Sequence, residues 1–129
     1  MILLDTHVLV WLVLSPKKLS KPASAAIRRA QLAGGLAISA MSLLELASLL
    51  VSNRVGILGS VERTLQAFTR DVEIRPITVE IAAASVYLPS DFPRDPADRA
   101  IAATAQVEAL PLVTVDTRIL NYSRIQTIW

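Results

Sequence analysis

The chain has 129 residues, of which 53% are hydrophobic, with no cysteine and a net charge of +2. That length suits one domain over residues 1–129, and the apolar share excludes a disordered segment. The lack of cysteine excludes disulfides and thiolate metal ligands and fits the cytoplasm. The apolar start is interrupted by Asp5, has no preceding basic residue, and keeps only Val8 to Leu14 free of polar groups. It is too short to span a bilayer and lacks a signal-peptide pattern, so no membrane partner is expected.

In chain order, Ile2–Leu4 reads as a strand and Thr6–Leu14 as a helix stopped by Ser15-Pro16. Pro22–Leu32 reads as a helix with proline in its first turn and Gly34-Gly35 past its end. Leu36–Ile38 is a short strand. Ser42–Val51 is a helix apolar nearly all round, hence buried. Ser60–Thr69 is an amphipathic helix opened by Ser60. Glu73–Ile77 is a strand with Pro76 inside it, which marks an edge. Val79–Tyr87 is helical, Asp95–Ala109 is a long alanine-rich helix, Leu112–Val115 is the most strand-like run, and Ile125–Trp129 is a last edge strand. Short apolar strands alternating with helices predict an α/β three-layer sandwich, a parallel sheet flanked by helices on both faces.

Four acids interrupt apolar or alanine-rich surroundings: Asp5, Glu45, Asp98 and Asp116. A charge in such a place is expensive unless something pairs with it. Asp5 and Asp116 both close apolar strands, and ligands of parallel sheets gather at the carboxyl ends of the strands. Each is also a favoured helix cap, and the two roles are compatible, because a cap uses one oxygen. Glu45 is either a buried acid paired with an arginine such as Arg99, the second member of a capping box begun by Ser42, or a metal ligand. Asp95 before Pro96 is an N-cap, with Asp98 three residues on and on the same face. Asp98 is the better ligand and Asp95 an accessory candidate. Hard divalent ions such as Mg²⁺ or Mn²⁺ prefer carboxylate oxygens. Clustered carboxylates repel one another unless cations neutralise them, and neutralising four would leave the chain four units more positive, which favours an anionic partner.

Thr6 and Thr114 adjoin the acids, where they either orient a carboxylate or close a turn. His7 is the only histidine and reads as a packed or partly exposed helix residue. Lys17, Lys18, Lys21, Arg28 and Arg29 form a basic run, either a solvated face or a contact for phosphates. There is no glycine-rich phosphate loop and no nucleophile elbow.

Four ordered pieces resemble the PIN-domain ribonucleases, specifically the VapC-like toxins of type II toxin–antitoxin pairs. They are Leu3-Leu4-Asp5-Thr6-His7, Ser42-Leu43-Leu44-Glu45-Leu46, Asp95 through Ala105, and Leu112-Val113-Thr114-Val115-Asp116. The resemblance covers nearly the whole chain. It implies Mg²⁺- or Mn²⁺-dependent endonucleolytic cleavage of RNA by metal-activated water, with Asp5, Glu45, Asp98 and Asp116 as metal-binding catalytic residues and Asp95 contributing in some members. It also implies a homodimer and a cognate antitoxin protein, whose contact region would be the helices Ser42–Val51 and Ser60–Thr69. A catalytically weak PIN-like module that binds RNA or protein is the alternative. A phosphatase with Asp5 as nucleophile is a further one, disfavoured because position 7 is His rather than a second acid.

Overall fold

Three consecutive buried residues, Ile2–Leu4, form β1 in the middle of the sheet. The computed structural model describes residues 1–52 and 56–129. The other strands are β2 (Leu36–Ser39), β3 (Val72–Arg75), β4 (Leu112–Val113) and β5 (Thr127–Ile128). All pair in parallel in the order β3-β2-β1-β4-β5. The helices are α1 (Thr6–Leu14), α2 (Lys21–Leu32), α3 (Ala40–Val51), α4 (Val61–Phe68), α5 (Val79–Val86), α6 (Pro96–Glu108) and α7 (Thr117–Leu120). A single 3₁₀ turn, Pro16–Lys18, follows α1.

Alternation along β1 divides the interior in two. Ile2 and Leu4 face a core built with Val8, Leu9, Ile27, Leu46, Leu50 and Phe68, which come from α1 to α4. Leu3 faces the other core, with Ile81, Ile101, Ala102, Ala105 and Ile119 from α5 to α7. This is the three-layer sandwich expected from the alternation of strands and helices. The small side chains of α6 let it lie close to both the sheet and α5, and Ala102 and Ala103 are fully buried there.

Several boundaries move, each for a local reason. The helix expected from Pro22 begins at Lys21, because Ser20 caps it: its Oγ accepts from the Ala23 amide at 3.2 Å. The helix expected from Ser42 begins at Ala40, capped by Ser39 through the Met41 amide at 3.1 Å. Ser42 is therefore a fully buried residue inside α3, and the Ser42–Glu45 capping box does not form. The strand expected at Glu73–Ile77 is Val72–Arg75; Pro76, which has no amide to donate, lies just beyond it, and β3 is an edge. The strand expected to reach Val115 pairs only over Leu112–Val113, although the Thr114 amide still donates to the Ile128 carbonyl at 3.3 Å. At Gly34 (φ +93°) a side chain is unaffordable, since a Cβ would meet the amino terminus of Met1 at 2.6 Å.

Arg99 holds the loop that leads into α6. Its guanidinium donates to the carbonyls of Ser85, Leu88 and Pro93 at 3.0–3.2 Å. It is thus not the partner of Glu45. Phe92, in the same loop, packs edge-on against Tyr122 with ring centres 4.9 Å apart. The loop delivers Asp95 and Asp98 at a fixed place. No helix among the described residues is long and apolar enough to cross a membrane.

The far end of α6 is strained. Ala109 takes the left-handed conformation (φ 53°, ψ 43°), a place where glycine is normally found. An alanine there costs about 1 kcal/mol. Ala109→Gly is expected to stabilise the protein by up to about that amount in denaturant unfolding; a destabilised variant would show that the left-handed cap is wrong.

Candidate functional site

The sheet order reverses between β1 and β4, because successive strands run outward from β1 on one side before the chain crosses to the other. Ligands of parallel sheets collect at such a junction. The register pairs Leu4 with Val113, so the next residues, Asp5 and Thr114, emerge side by side.

Both oxygens of Asp5 are held. Oδ1 accepts from the Thr6 amide at 2.8 Å, capping α1, and Oδ2 accepts from Thr114 Oγ1, also at 2.8 Å. Thr6 is fully buried; its Oγ1 donates to Glu45 Oε1 at 2.6 Å and lies 2.9 Å from Ser42 Oγ. Thus α1, entered through Asp5, orients an acid on α3. Asp95 caps α6 through the Ala97 amide at 2.8 Å, and Asp98 lies in the first turn of that helix. Asp116 caps α7 and is also engaged by Arg118, with Oδ2 at 3.1 Å from Nη2. That ion pair, two residues apart on an exposed turn, has no signal in the sequence beyond proximity.

The acids face two adjoining hollows. Glu45 and Asp95 line one of about 390 Å³, while Asp5, Asp98 and Asp116 line another of about 330 Å³. Asp98 joins the two sets: one carboxylate oxygen from each of Glu45, Asp95 and Asp98 lies within 4.8 Å of the others. Two unit charges that close repel by about 3 kcal/mol at an effective dielectric of 20, before solvent screening. Burial, more than any neighbour, pushes up the carboxyls of Asp5 and Glu45, opposed by the hydrogen bonds from Thr114 and Thr6 respectively. Asp98 is raised to about 6, by burial first and then by Glu45, Asp5, Asp95 and Asp116. No hydrogen bond to the Asp98 carboxylate is found among the described residues, so only the α6 N-terminus and the charge of Arg118 oppose its environment.

His7 is the residue that sequence reasoning undervalued. It is exposed and lines both hollows. The available signal was its place in the first turn of the helix that Asp5 caps.

The PIN domain family model matches residues 2–125. The chain belongs to the PIN domain family. Ribonuclease VapC22 of Mycobacterium tuberculosis is 42% identical over 130 residues, with 99% of this chain and 98% of the relative covered. Among solved structures, VapBC2 from Rickettsia felis, bound to a DNA fragment from its promoter, superposes with a TM-score of 0.74 at 18% identity, covering 98% of this chain and 97% of the other. A toxin–antitoxin complex from Klebsiella pneumoniae gives 0.68 at 23% identity, covering 100% and 97%. Both likenesses concern the fold.

The donor set of this PIN domain fits a hard divalent cation. Its convergent groups are carboxylates, and Glu45, Asp95 and Asp98 approach closely enough for one ion to touch all three. The raised carboxyls define a pH test on the metal-free protein. Asp98 holds a proton more readily when folded than when unfolded. The stability this group contributes is therefore complete below its ordinary value of 3.8 and is lost as pH rises through about 6. In chelator, the thermal midpoint of the unaltered PIN domain is expected to fall relative to that of Asp98→Asn between about pH 4 and about pH 7, and Mg²⁺ is expected to reverse the fall. Parallel profiles would contradict the crowding of Asp98.

Proposed function

We propose that this single-domain protein is a metal-dependent endoribonuclease, the toxin of a toxin–antitoxin pair. The observation that carries the reading is the convergence of Asp5, Glu45, Asp98 and Asp116 at the β1–β4 junction, in a chain closely similar to a protein named as a ribonuclease. These four are the catalytic residues in this reading, and Asp95 is accessory. Glu45 and Asp98, with Asp95, would hold one Mg²⁺ or Mn²⁺; Asp5 and Asp116 border the same space through Asp98. When bound, the ion supplies Lewis-acid polarisation of a phosphate oxygen and activation of water for hydrolysis.

The chain's own residues do the rest. Thr114 and Thr6 fix the orientation of Asp5 and Glu45. The α6 N-terminus favours ionised Asp98 through its amide dipoles. Arg118 draws Asp116 towards itself, so Asp116 must be shared or released when substrate and ion enter.

The surface offers support for the proposed partners. The toxin–antitoxin complex it resembles in fold favours an antitoxin. An apolar groove of about 220 Å³, lined by Val13, Leu14, Ile57, Leu58 and Phe68, suits an apolar segment of such a partner. It lies against α4 and the end of α1, so it overlaps only part of the α3–α4 region expected from the sequence. A homodimer is the reading for α5 and its C-cap, where Val79, Val86 and the capping Tyr87 are 82%, 72% and 86% exposed. The cytoplasm suits the cysteine-free chain.

The decisive variant is Asp98→Asn, which keeps shape and removes charge. Cleavage of single-stranded RNA in Mg²⁺ is expected to fall by more than about 100-fold, beyond the 10–100-fold typical of groups that merely orient a ligand, with the circular dichroism spectrum retained. Wild-type cleavage by this variant would leave a binding module as the better description.

A further inference from the structure

The acidic hollow continues along α1. Beside it lies another of about 270 Å³, bordered by His7, Trp11, Leu14, Ser15 and Lys18. His7, Trp11 and Leu14 recur at intervals of four and three, so they form one stripe of the helix. The stripe leads away from Asp5 and Asp98 and ends near Lys18 in the 3₁₀ turn. His7 and Trp11 wall both hollows.

Trp11 is not needed by either core. It belongs to neither buried cluster and keeps part of its surface in solvent. Its ring centre lies 5.7 Å from that of Trp129 and 6.4 Å from that of His7, both tilted. With both neighbours tilted rather than stacked on it, the indole still lines both hollows. An aromatic surface next to a phosphodiester-cleaving centre, with a lysine further along, has the two parts of a single-strand binding track: a face for a base and a cation for the backbone.

We propose that His7, Trp11 and Lys18 form a platform for single-stranded RNA. The nucleobase beside the scissile phosphate stacks on Trp11, bordered by His7, and Lys18 pairs with a phosphate further along the strand. The acids offer no flat face on which a base could stack, whereas this stripe is an aromatic surface that adjoins them. A peptide would also accept the apolar stripe, but continuity with the acids and the cation at its far end favour RNA. Every base has a π-face, so the platform holds the strand with little preference for sequence at that position. The inference rests on the ribonuclease reading.

The test measures KM and kcat for a fluorescent single-stranded oligoribonucleotide in Mg²⁺, at several salt concentrations, with thermal midpoints for each variant. Trp11→Ala is expected to raise KM about tenfold with a smaller change in kcat, and Trp11→Phe to restore most of it. Lys18→Ala is expected to weaken binding and to reduce the slope of log KM against log salt by about 1. A folded Trp11→Ala with an unchanged KM overturns the platform while cleavage by the unaltered protein keeps the ribonuclease reading. If Trp11→Ala does not fold, an unchanged salt slope in Lys18→Ala overturns it. Loss of antitoxin binding by Trp11→Ala, with KM intact, would make this face a protein contact. No cleavage by the unaltered protein removes the ribonuclease reading and the platform together.

Discussion

Like charges have to be kept together at the carboxyl ends of the central strands, and most of the local architecture serves that constraint. Glu45, Asp95 and Asp98 approach within 4.8 Å, with Asp5 and Asp116 beside them. The opposing devices are individually small. Thr114 on Asp5 and Thr6 on Glu45 are single hydrogen bonds, each contributing about 1 kcal/mol net. Caps at α1, α6 and α7 place three of the five carboxylates against backbone amides. Asp98 has no such hydrogen bond, and its carboxyl is raised to about 6. Without a cation, the two cores must absorb the repulsion.

The two cores are arranged to do so. Leu3 and Leu4 leave no exposed surface, and they lock β1 from opposite sides. Asp5 follows directly, so its position is set by the most constrained strand in the molecule. Glu45 is set by α3, whose Leu46 and Leu50 are fully buried on one face. Asp98 depends on α6 and on Arg99, which gathers the carbonyls of the preceding loop. Asp5, Glu45, Asp98 and Asp116 therefore belong to different elements, with Asp95 sharing α6 with Asp98, and the site exists only when all of them are packed.

Much of this was legible from residue order. Apolar triplets followed by an acid marked β1 and its carboxyl end, and the alternation of strands and helices implied the layers. Asp95-Pro96 announced the start of α6. Less legible were features that depend on distance in space. The capping box at Ser42–Glu45 matched the spacing, but Ser39 was the nearer cap, and burial of Ser42 against Thr6 could not be read from one segment. Arg99 looked like a partner for Glu45 because both are charged and lie in apolar surroundings; three carbonyls claimed it instead. Arg118 with Asp116, and the stripe from His7 to Trp11, involve exposed residues whose partners no periodicity encodes.

In the proposed reading, a divalent cation relieves the repulsion within this carboxylate cluster. The direct measurement is anomalous scattering from crystals grown with Mn²⁺. A peak within coordination distance of Glu45 and Asp98 oxygens, about 2.0–2.2 Å away, is expected. Saturating Mn²⁺ with no peak between these carboxylates, or a peak elsewhere on the surface alone, would contradict a metal centre at the β1–β4 junction.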